Sequence, residues 1–326
     1  MIVSIIIAVK IWQKNLEECV NKCSSLDYPD IEIIILPDES IEGVSLPLCV
    51  KVVPTGNVTP PLKRDIGAKA ATGEILAFLD DDAYPVSGWL ESAIKIFKEN
   101  PDYACVCGPA VTPLDDSLRE KASGFVYSSF LMSCGQIYRY LPRRPRFVVD
   151  YPSCNFLIRK EIFDKVGGFD TKFWPGEDTF LCLKVLETGK KMYYHPKVLV
   201  FHHRRSLFKK HLSQIRSYAM HRGYFAKRYP KTSLRWDYFI PSAFVAFLVV
   251  GPFIPWATDI YVPVVLFYIT SCLLTSLILG FKAREGFLRK LRLVDLIFTG
   301  IVMSHIIYGI FFVKGLLASQ MPEEKL

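Results

Sequence analysis

Residues 75–83 read Ile75-Leu76-Ala77-Phe78-Leu79-Asp80-Asp81-Asp82-Ala83, an apolar run closed by three adjacent carboxylates. A short run of this kind, ended by polar residues, reads as a buried strand over Ile75–Leu79. Three carboxylates side by side repel one another. A solvated acidic turn tolerates that repulsion. A bound cation explains it better, because carboxylate oxygens suit Mg²⁺ or Mn²⁺ held together with substrate phosphates.

Reading upstream, Ile2–Val9 and Ile31–Leu36 are further apolar, β-branched segments, with a shorter one at Lys51–Pro54. Helical patterns over Asn15–Leu26 and around Arg64–Ala71 separate them. Strands alternating with helices imply an α/β fold with a mainly parallel sheet. Ligands of such sheets bind beyond the carboxyl ends of the strands. Both Asp38-Glu39-Ser40 and Asp80-Asp81-Asp82 fall there.

The composition changes near Asp237. Three apolar stretches follow, 239–257, 261–281 and 294–316, each near the length a bilayer core requires and almost without internal charge. Pro241, Pro252, Pro255 and Pro263 interrupt the first two, so that pair also fits a re-entrant hairpin. Ile2–Val9 is too short for a signal peptide and has no basic flank. Residues 204–235 hold ten Lys and Arg and no acid, and 282–292 is also basic. The positive-inside rule puts the first domain and that loop in the cytoplasm and the C-terminal tail outside. A multi-pass protein of the cell membrane is therefore expected. Tyr218, Tyr224, Phe225, Tyr229 and Trp236 alternate with the basic residues, as in a helix lying on a membrane surface.

The net charge is +8 over 326 residues. With no groove-reading motif, anionic lipid and phosphorylated substrates are the expected partners, not nucleic acid. The nine cysteines form no C-x-x-C pair and read as reduced, mostly buried thiols.

More specific is the order of several segments. The run from Leu62 to Leu90, with Lys63-Arg64-Asp65-Ile66-Gly67 at its start and Trp89 near its end, resembles the nucleotide-sugar-binding core of family 2 glycosyltransferases of the GT-A fold. The likeness continues in Asn155–Arg159, Val166-Gly167-Gly168-Phe169-Asp170 and Gly176-Glu177-Asp178, and covers about residues 1–205. It implies a GT-A, Rossmann-like catalytic domain over 1–205 and a metal-dependent glycosyltransferase using a UDP-, GDP- or dTDP-sugar. A basic membrane-proximal segment at 206–237, a membrane region at 238–318 and a tail at 319–326 would complete the chain.

Carried over by position, the resemblance puts Asp38 at the base or ribose and Arg64 at the nucleotide or its diphosphate. Asp80 and Asp82 take the outer places of an Asp-x-Asp motif, with Asp82 the better metal ligand and Asp81 on the donor side. Asp178 matches the catalytic base, with Glu177 beside it. Ala8-Val9-Lys10-Ile11-Trp12 departs from the family's Pro-x-Tyr-Asn-like segment, and Pro37 stands where an additional Asp is common. Both departures bear on which nucleotide is bound.

Chemically, the departing nucleoside diphosphate gathers negative charge that a metal and Arg stabilise, while a carboxylate takes the proton of an attacking hydroxyl. Direct displacement inverts the anomeric centre. Glu177 and Asp178 also open a helix running to about Glu187, where acids favour the helix dipole. His202-His203-Arg204-Arg205 follows the strand Val198–Phe201. One histidine would supply a third metal ligand and the arginines would grip the diphosphate. Strand alternation leaves the choice between the histidines open, with His203 the nominal candidate; a basic membrane-proximal surface is the plainer alternative. Arg143-Arg144-Pro145-Arg146 fits either a phosphate-bearing acceptor or a solvated loop.

The expected acceptor is a hydroxyl of a lipid-linked or membrane-proximal glycan. A polyprenyl phosphate acceptor is already ionised and has no use for a base. A processive synthase would carry Gln-x-x-Arg-Trp, which Gln214-Ile215-Arg216-Ser217-Tyr218 does not match. A non-catalytic membrane adaptor would have no need of intact acidic motifs.

Overall fold

The computed structural model describes residues 1–254 and 258–321. It falls into two compact units, Met1–Val111 with Leu141–His202, and Thr112–Tyr140 with 203–321. Its strands are β1 (Val3–Ala8), β2 (Ile31–Leu36), β3 (Val50–Val52), β4 (Ile75–Asp80), β5 (Ala83–Pro85), β6 (Tyr103–Cys107), β7 (Ala110–Val111), β8 (Arg146–Val148), β9 (Asn155–Arg159), β10 (Lys191–Tyr194) and β11 (Val200–His202). Helices α1 (Lys14–Ser24), α2 (Pro60–Ala70) and α3 (Trp89–Glu99) precede α4 (Leu118–Ser128) and the short α5 (Phe130–Ser133). After them come α6 (Lys160–Lys165), α7 (Glu177–Glu187), α8 (Lys209–Arg228), the short α9 (Pro230–Ser233), α10 (Ile240–Val250), α11 (Thr258–Lys282) and α12 (Phe287–Leu317).

In the first unit an eight-stranded sheet runs β3-β2-β1-β4-β9-β6-β10-β8. Its central strands are mainly apolar because both faces are covered. On one face Leu16, Cys19, Val20 and Cys23, at helical spacing on α1, and Trp89, Ala93 and Phe97 of α3 pack with Ile5, Ile7, Ile33, Ile35 and Leu79. On the other, Phe78 meets the rings of Phe163 and Phe169 at 5.3 and 5.2 Å. There α2 comes so close that a Cβ on Gly67 would lie 2.7 Å from both Ile6 and Leu36.

The sheet is mixed. The pairs β1–β2, β1–β4, β2–β3 and β6–β10 are parallel, but β9 runs antiparallel to both β4 and β6. The chain reaches β9 after its excursion through the second unit, so no short crossover helix fixes the direction of that strand. The residues 143–146 do not form a solvated loop to their end: Arg146 opens β8, the edge strand antiparallel to β10.

A second sheet, β5-β11-β7, matters most for the site. Antiparallel pairing sets His202 opposite Ala83, the residue after the acidic triplet. Buried Asn155 ties this sheet down. Its Nδ2 donates to Gly108 O (2.7 Å) and Val198 O (2.8 Å), and its Oδ1 accepts from Trp89 Nε1 (3.0 Å). At Gly108 any Cβ would fall 1.7 Å from Val198 O, so the close approach admits only glycine.

The second unit collects the apolar helices. Trp236–Phe253, Asp259–Lys282 and Phe287–Leu317 are each long and apolar enough to cross a membrane. Residues 255–257 of the expected first span and the tail from 322 onward lie outside the described residues. The expected continuous domain over 1–205 is cut at 112–140. There Ala122 and Val126 of α4 join an apolar cluster with Leu293, Leu296, Ile297 and Ile301 of α12. The basic helix α8 does not simply present an apolar side to lipid, as its sequence suggests. It lies against α12 through two glycines: a Cβ on Gly223 would sit 2.1 Å from Phe312 O, and one on Gly315 1.9 Å from Met220 O. His305 inside α12 is a structural residue, with Nδ1 against Tyr268 Oη (3.0 Å) and Nε2 against Leu131 O (3.0 Å).

Replacing Asn155 with Leu takes away the partner of the Trp89 indole N–H and of the Val198 carbonyl, while Gly108 O keeps its bond from Tyr151 Oη (2.8 Å). At about 1–3 kcal/mol for each unmet group, with partial relaxation, the apparent melting temperature of the purified protein is expected to fall by about 5–10 °C. An unchanged melting curve would show that the clamp contributes nothing.

Candidate active site

The carboxyl ends of β1, β2 and β4 lie in register, with Ala8 opposite both Leu36 and Asp80. Lys63, on α2, closes this edge. Its Nζ donates to Val9 O (2.7 Å) and Leu36 O (3.1 Å) and forms an ion pair with Asp38. Asp38, for which the sequence suggests the nucleotide's base or ribose, is held at this edge by a buried lysine. Sequence reasoning passed over Lys63, although it adjoins Arg64 on the same helix.

Arg64 is the hub. Only 6% exposed, it donates from Nη2 to Asp80 Oδ1 (2.8 Å) and from Nη1 to Glu177 Oε1 (3.2 Å). Its guanidinium also sits 5.7 Å from the centre of the Phe169 ring. Burial disfavours its charge, yet Asp80, Glu177 and Asp178 outweigh that and raise its pKa above normal. Arg64 thus joins Asp80 of the acidic triplet to Glu177 at the start of α7, two residues 97 apart in sequence. It does this with carboxylates, whereas the sequence suggested the diphosphate for it.

Glu177 and Asp178 form the first turn of α7, behind Gly176, whose φ of 119° suits glycine. Burial raises the pKa of both carboxyls, and Arg64 acts against it. Asp178 is further steadied by Ser153. Arg64 Nε, Glu177 Oε2 and Asp178 Oδ1 are buried and have no hydrogen-bond partner among the described residues. Orphan polar atoms of both signs in one buried cluster are costly unless a ligand meets them.

The loop before α7 explains the paired glycines. Asp65 accepts from the backbone N–H of Phe169 (2.8 Å) and Asp170 (3.0 Å). Gly168 has φ of 68°, and a Cβ there would lie 2.5 Å from Asp65 Oδ1. This capture sets Phe169 beside Arg64.

One donor atom from each of Asp80, Asp82 and His202 lies within 4.8 Å of the other two, and His202 Nε2 is 2.9 Å from Asp82 Oδ1. Two carboxylates and an imidazole fit a divalent cation. Of the two histidines it is His202, not the nominal His203, that stands with Asp80 and Asp82. The β5–β11 pairing turns His202 toward the triplet, whereas His203 falls in the second unit with its Nδ1 on Asp116 Oδ1. Asp81 faces away, bonded to the Gln13 amide. Burial, then the charges of Asp82 and Asp80, push its carboxyl up to about 7. Arg204 belongs to the second unit, where its Nε donates to Thr112 Oγ1 (3.3 Å) and its guanidinium lies near the Tyr127 and Tyr140 rings. Arg205 contributes its charge to the surroundings of the same Tyr127.

Residues 4–167 match the family model described as glycosyl transferase family 2. The chain is 34% identical over 148 residues to the pre-mycofactocin glycosyltransferase of Mycobacterium tuberculosis, covering 45% of this chain and 30% of that protein. It is 27% identical over 148 residues to the glucosyl-dolichyl phosphate glucuronosyltransferase of Haloferax volcanii, covering 43% and 46%. These matches span less than half the length of either relative. A Methanococcus voltae dolichyl N-acetyl-alpha-D-glucosaminyl phosphate 3-beta-D-2,3-diacetamido-2,3-dideoxy-beta-D-glucuronosyltransferase is 25% identical over 238 residues, 68% of this chain and 73% of that one. Among solved structures, mannosyltransferase PcManGT from Pyrobaculum calidifontis, in complex with GDP-Man and Mn²⁺, superposes with a TM-score of 0.53. It does so at 17% identity, over 98% of this chain and 88% of that one. That likeness is one of fold, an α/β GT-A arrangement.

If Asp80, Asp82 and His202 hold a divalent ion, His202→Ala weakens Mn²⁺ binding about tenfold or more in titrations followed by electron paramagnetic resonance. His203→Ala leaves the affinity unchanged. Equal losses in the two variants would refute the assignment.

Proposed function

Given that the chain belongs to glycosyl transferase family 2, we propose that it moves a sugar from a nucleoside diphosphate to a hydroxyl of a lipid-linked or membrane-proximal glycan, inverting the anomeric carbon. The observation that carries this reading is the Arg64 bridge, which gathers Asp80 and Glu177, and with them Asp178, into one buried cluster. In the proposed reaction the acceptor oxygen bonds to the anomeric carbon as the bond to the diphosphate oxygen breaks. Asp178 takes the acceptor proton on Oδ1, its orphan oxygen. Glu177 holds Arg64, and Arg64 keeps positive charge beside the acidic cluster. Lys63 and Asp38 flank the nucleoside end.

Asp80, Asp82 and His202 would hold the divalent ion, whose charge would offset that of the leaving diphosphate. The imidazole favours Mn²⁺ over Mg²⁺, which prefers oxygen alone. UDP-, GDP- and dTDP-sugars all remain candidate donors. The lipid-linked acceptor is supported by relatives whose names carry dolichyl phosphate sugars and by the three apolar helices. The basic stretches at 204–235 and 282–292 support a multi-pass placement in the cell membrane with the first unit in the cytosol. A transferase charging polyprenyl phosphate itself would make no use of Asp178 as a base.

Purified protein with Mn²⁺ and a panel of nucleotide sugars is expected to release nucleoside diphosphate from one of them, faster with a lipid-linked sugar than with polyprenyl phosphate. No release under any condition would remove the transferase reading, and equal release with polyprenyl phosphate alone would remove the hydroxyl acceptor. Asp178→Asn should lower turnover about 10²-fold or more while donor binding persists; near-normal transfer by that variant would exclude it as the base. A raised pKa means that the base is lost nearer neutrality. Turnover should therefore decline as pH falls through about 6, whereas an ordinary carboxylate would sustain it down to about pH 4.

A further inference from the structure

Helix α12 is long and apolar enough to cross a membrane, yet it differs from the other two candidate spans. Protein buries 50% of its apolar window, against 11% for each of the others. Part of that cover is a helix that hydrocarbon would not accept. α8 carries Lys209, Lys210, Arg216, Arg222, Lys227 and Arg228 and no acid. It runs in the same direction as α12, along its second half. His211 Nε2 meets Ser304 Oγ at 3.0 Å, a Cβ on Gly223 would lie 2.1 Å from Phe312 O, and Lys227 Nζ donates to Ala318 O at 2.6 Å.

Both ends of α12 are thereby tied to positive segments. Its start follows Lys282 and Arg284 and holds Lys290 and Arg292. The end of α11 packs there, since a Cβ on Gly280 would lie 2.6 Å from Val294. The far end of α12 lies beside the last turn of α8, which leads through Lys231 and Arg235 to the first candidate span. That span also begins against the second half of α12. The rings of Phe239 and Phe312 are 4.9 Å apart, and Ser242 Oγ donates to Gly309 O at 3.0 Å.

A crossing by α12 conflicts with these contacts. At a rise of about 1.5 Å per residue, Ala318 would stand about 39 Å beyond Arg292, past a hydrocarbon core about 30 Å thick. α8, bound along 304–318, would be carried through the far half of that core with its cations, which lipid disfavours. Lys227 and Arg228 would then face the opposite side from Lys282–Arg292, although basic segments gather on one side. The surface of α12 fits another placement. It keeps an exposed apolar stripe, Met303, Ile310, Val313 and Leu317, with exposed Lys314 beside it. An apolar stripe flanked by cations is the pattern of a helix half-sunk in a membrane surface.

We propose that α12 does not cross the membrane but is an in-plane docking surface for an anionic bilayer. Its exposed stripe sits at the acyl boundary, with Lys290, Arg292 and Lys314 at the headgroups. Ala318 then lies on the same side of the bilayer as the basic residues of α8. This reverses the outside position that the pattern of charge gives to the tail when all three apolar stretches cross. α12 would take this place with or without a transferase activity in the chain.

Two measurements on the full chain decide the matter. In sealed membrane vesicles, epitopes placed before Met1 and after Leu326 are expected to be digested together by added protease, or protected together. Digestion of one with protection of the other would overturn the proposal, because an odd number of crossings would then separate them. The second measurement reads depth in vesicles of phosphatidylcholine and phosphatidylglycerol. Nitroxide labels are placed singly at Met303→Cys, Ile310→Cys and Leu317→Cys, with the half-buried Cys49 and Cys134 replaced by serine. Power saturation with oxygen and a nickel chelate is expected to place all three at one shallow depth, about 5–10 Å into the boundary. A crossing helix would instead separate the first and last labels by about 20 Å, and that result would overturn the proposal even where the epitopes are digested together. Three labels open to nickel and closed to oxygen would overturn it too, since α12 would then not touch lipid.

Discussion

The ion pairs of Arg64 are the constraint on which the site depends. A buried guanidinium cannot shed its proton, so the fold must bring carboxylates to it. Asp80 comes from the end of β4 and Glu177 from the start of α7, and Asp178 adds its charge to the same place. Asp65, the next residue on α2, captures the loop before α7 by two backbone N–H groups and sets Phe169 beside the guanidinium. A single helix turn thus fixes both the acidic triplet and the approach to the candidate base. The cost of burying so much charge is met by mutual pairing, and the atoms left orphaned are ones that a substrate could meet.

A second constraint works through the backbone. Beside the small sheet β5-β11-β7, Gly108 lets two segments of the chain touch and Asn155 holds a carbonyl of each. With β11 locked antiparallel to β5, only one of the two adjacent histidines faces the acidic triplet. The side chain at position 202 reaches Asp82, and its neighbour leaves for Asp116. A one-residue shift of that pairing would exchange their roles, because strand side chains alternate.

The apolar helices show the same division between pattern and packing. Their length and lack of charge are enough to mark them as candidate spans. The partner of α8 was not readable, since a basic, aromatic-rich helix suits a lipid surface equally well. Gly223 and Gly315 settle it in favour of α12, and neither glycine has a signal in its local sequence to say so. The excursion of 112–140 into the second unit is similar. An amphipathic helix shows which face is apolar, and not which of two apolar surfaces will cover it.

What the sequence determined by itself was local: the strands β1, β2 and β4, helices α1 and α7, the acidic triplet at a strand end, and the ordered segments that resemble family 2. Periodicity and turn chemistry act over a few residues, and those features need nothing more. Tertiary structure decided what lies far apart in the chain. It turned Arg64 to Asp80 and Glu177, chose His202 over His203, supplied Lys63 to Asp38, inserted β9 antiparallel and gave 112–140 to the second unit. Each of these depends on which surfaces meet and which buried charges must be balanced. Those free energies belong to the assembled fold, and no single stretch of sequence contains both partners.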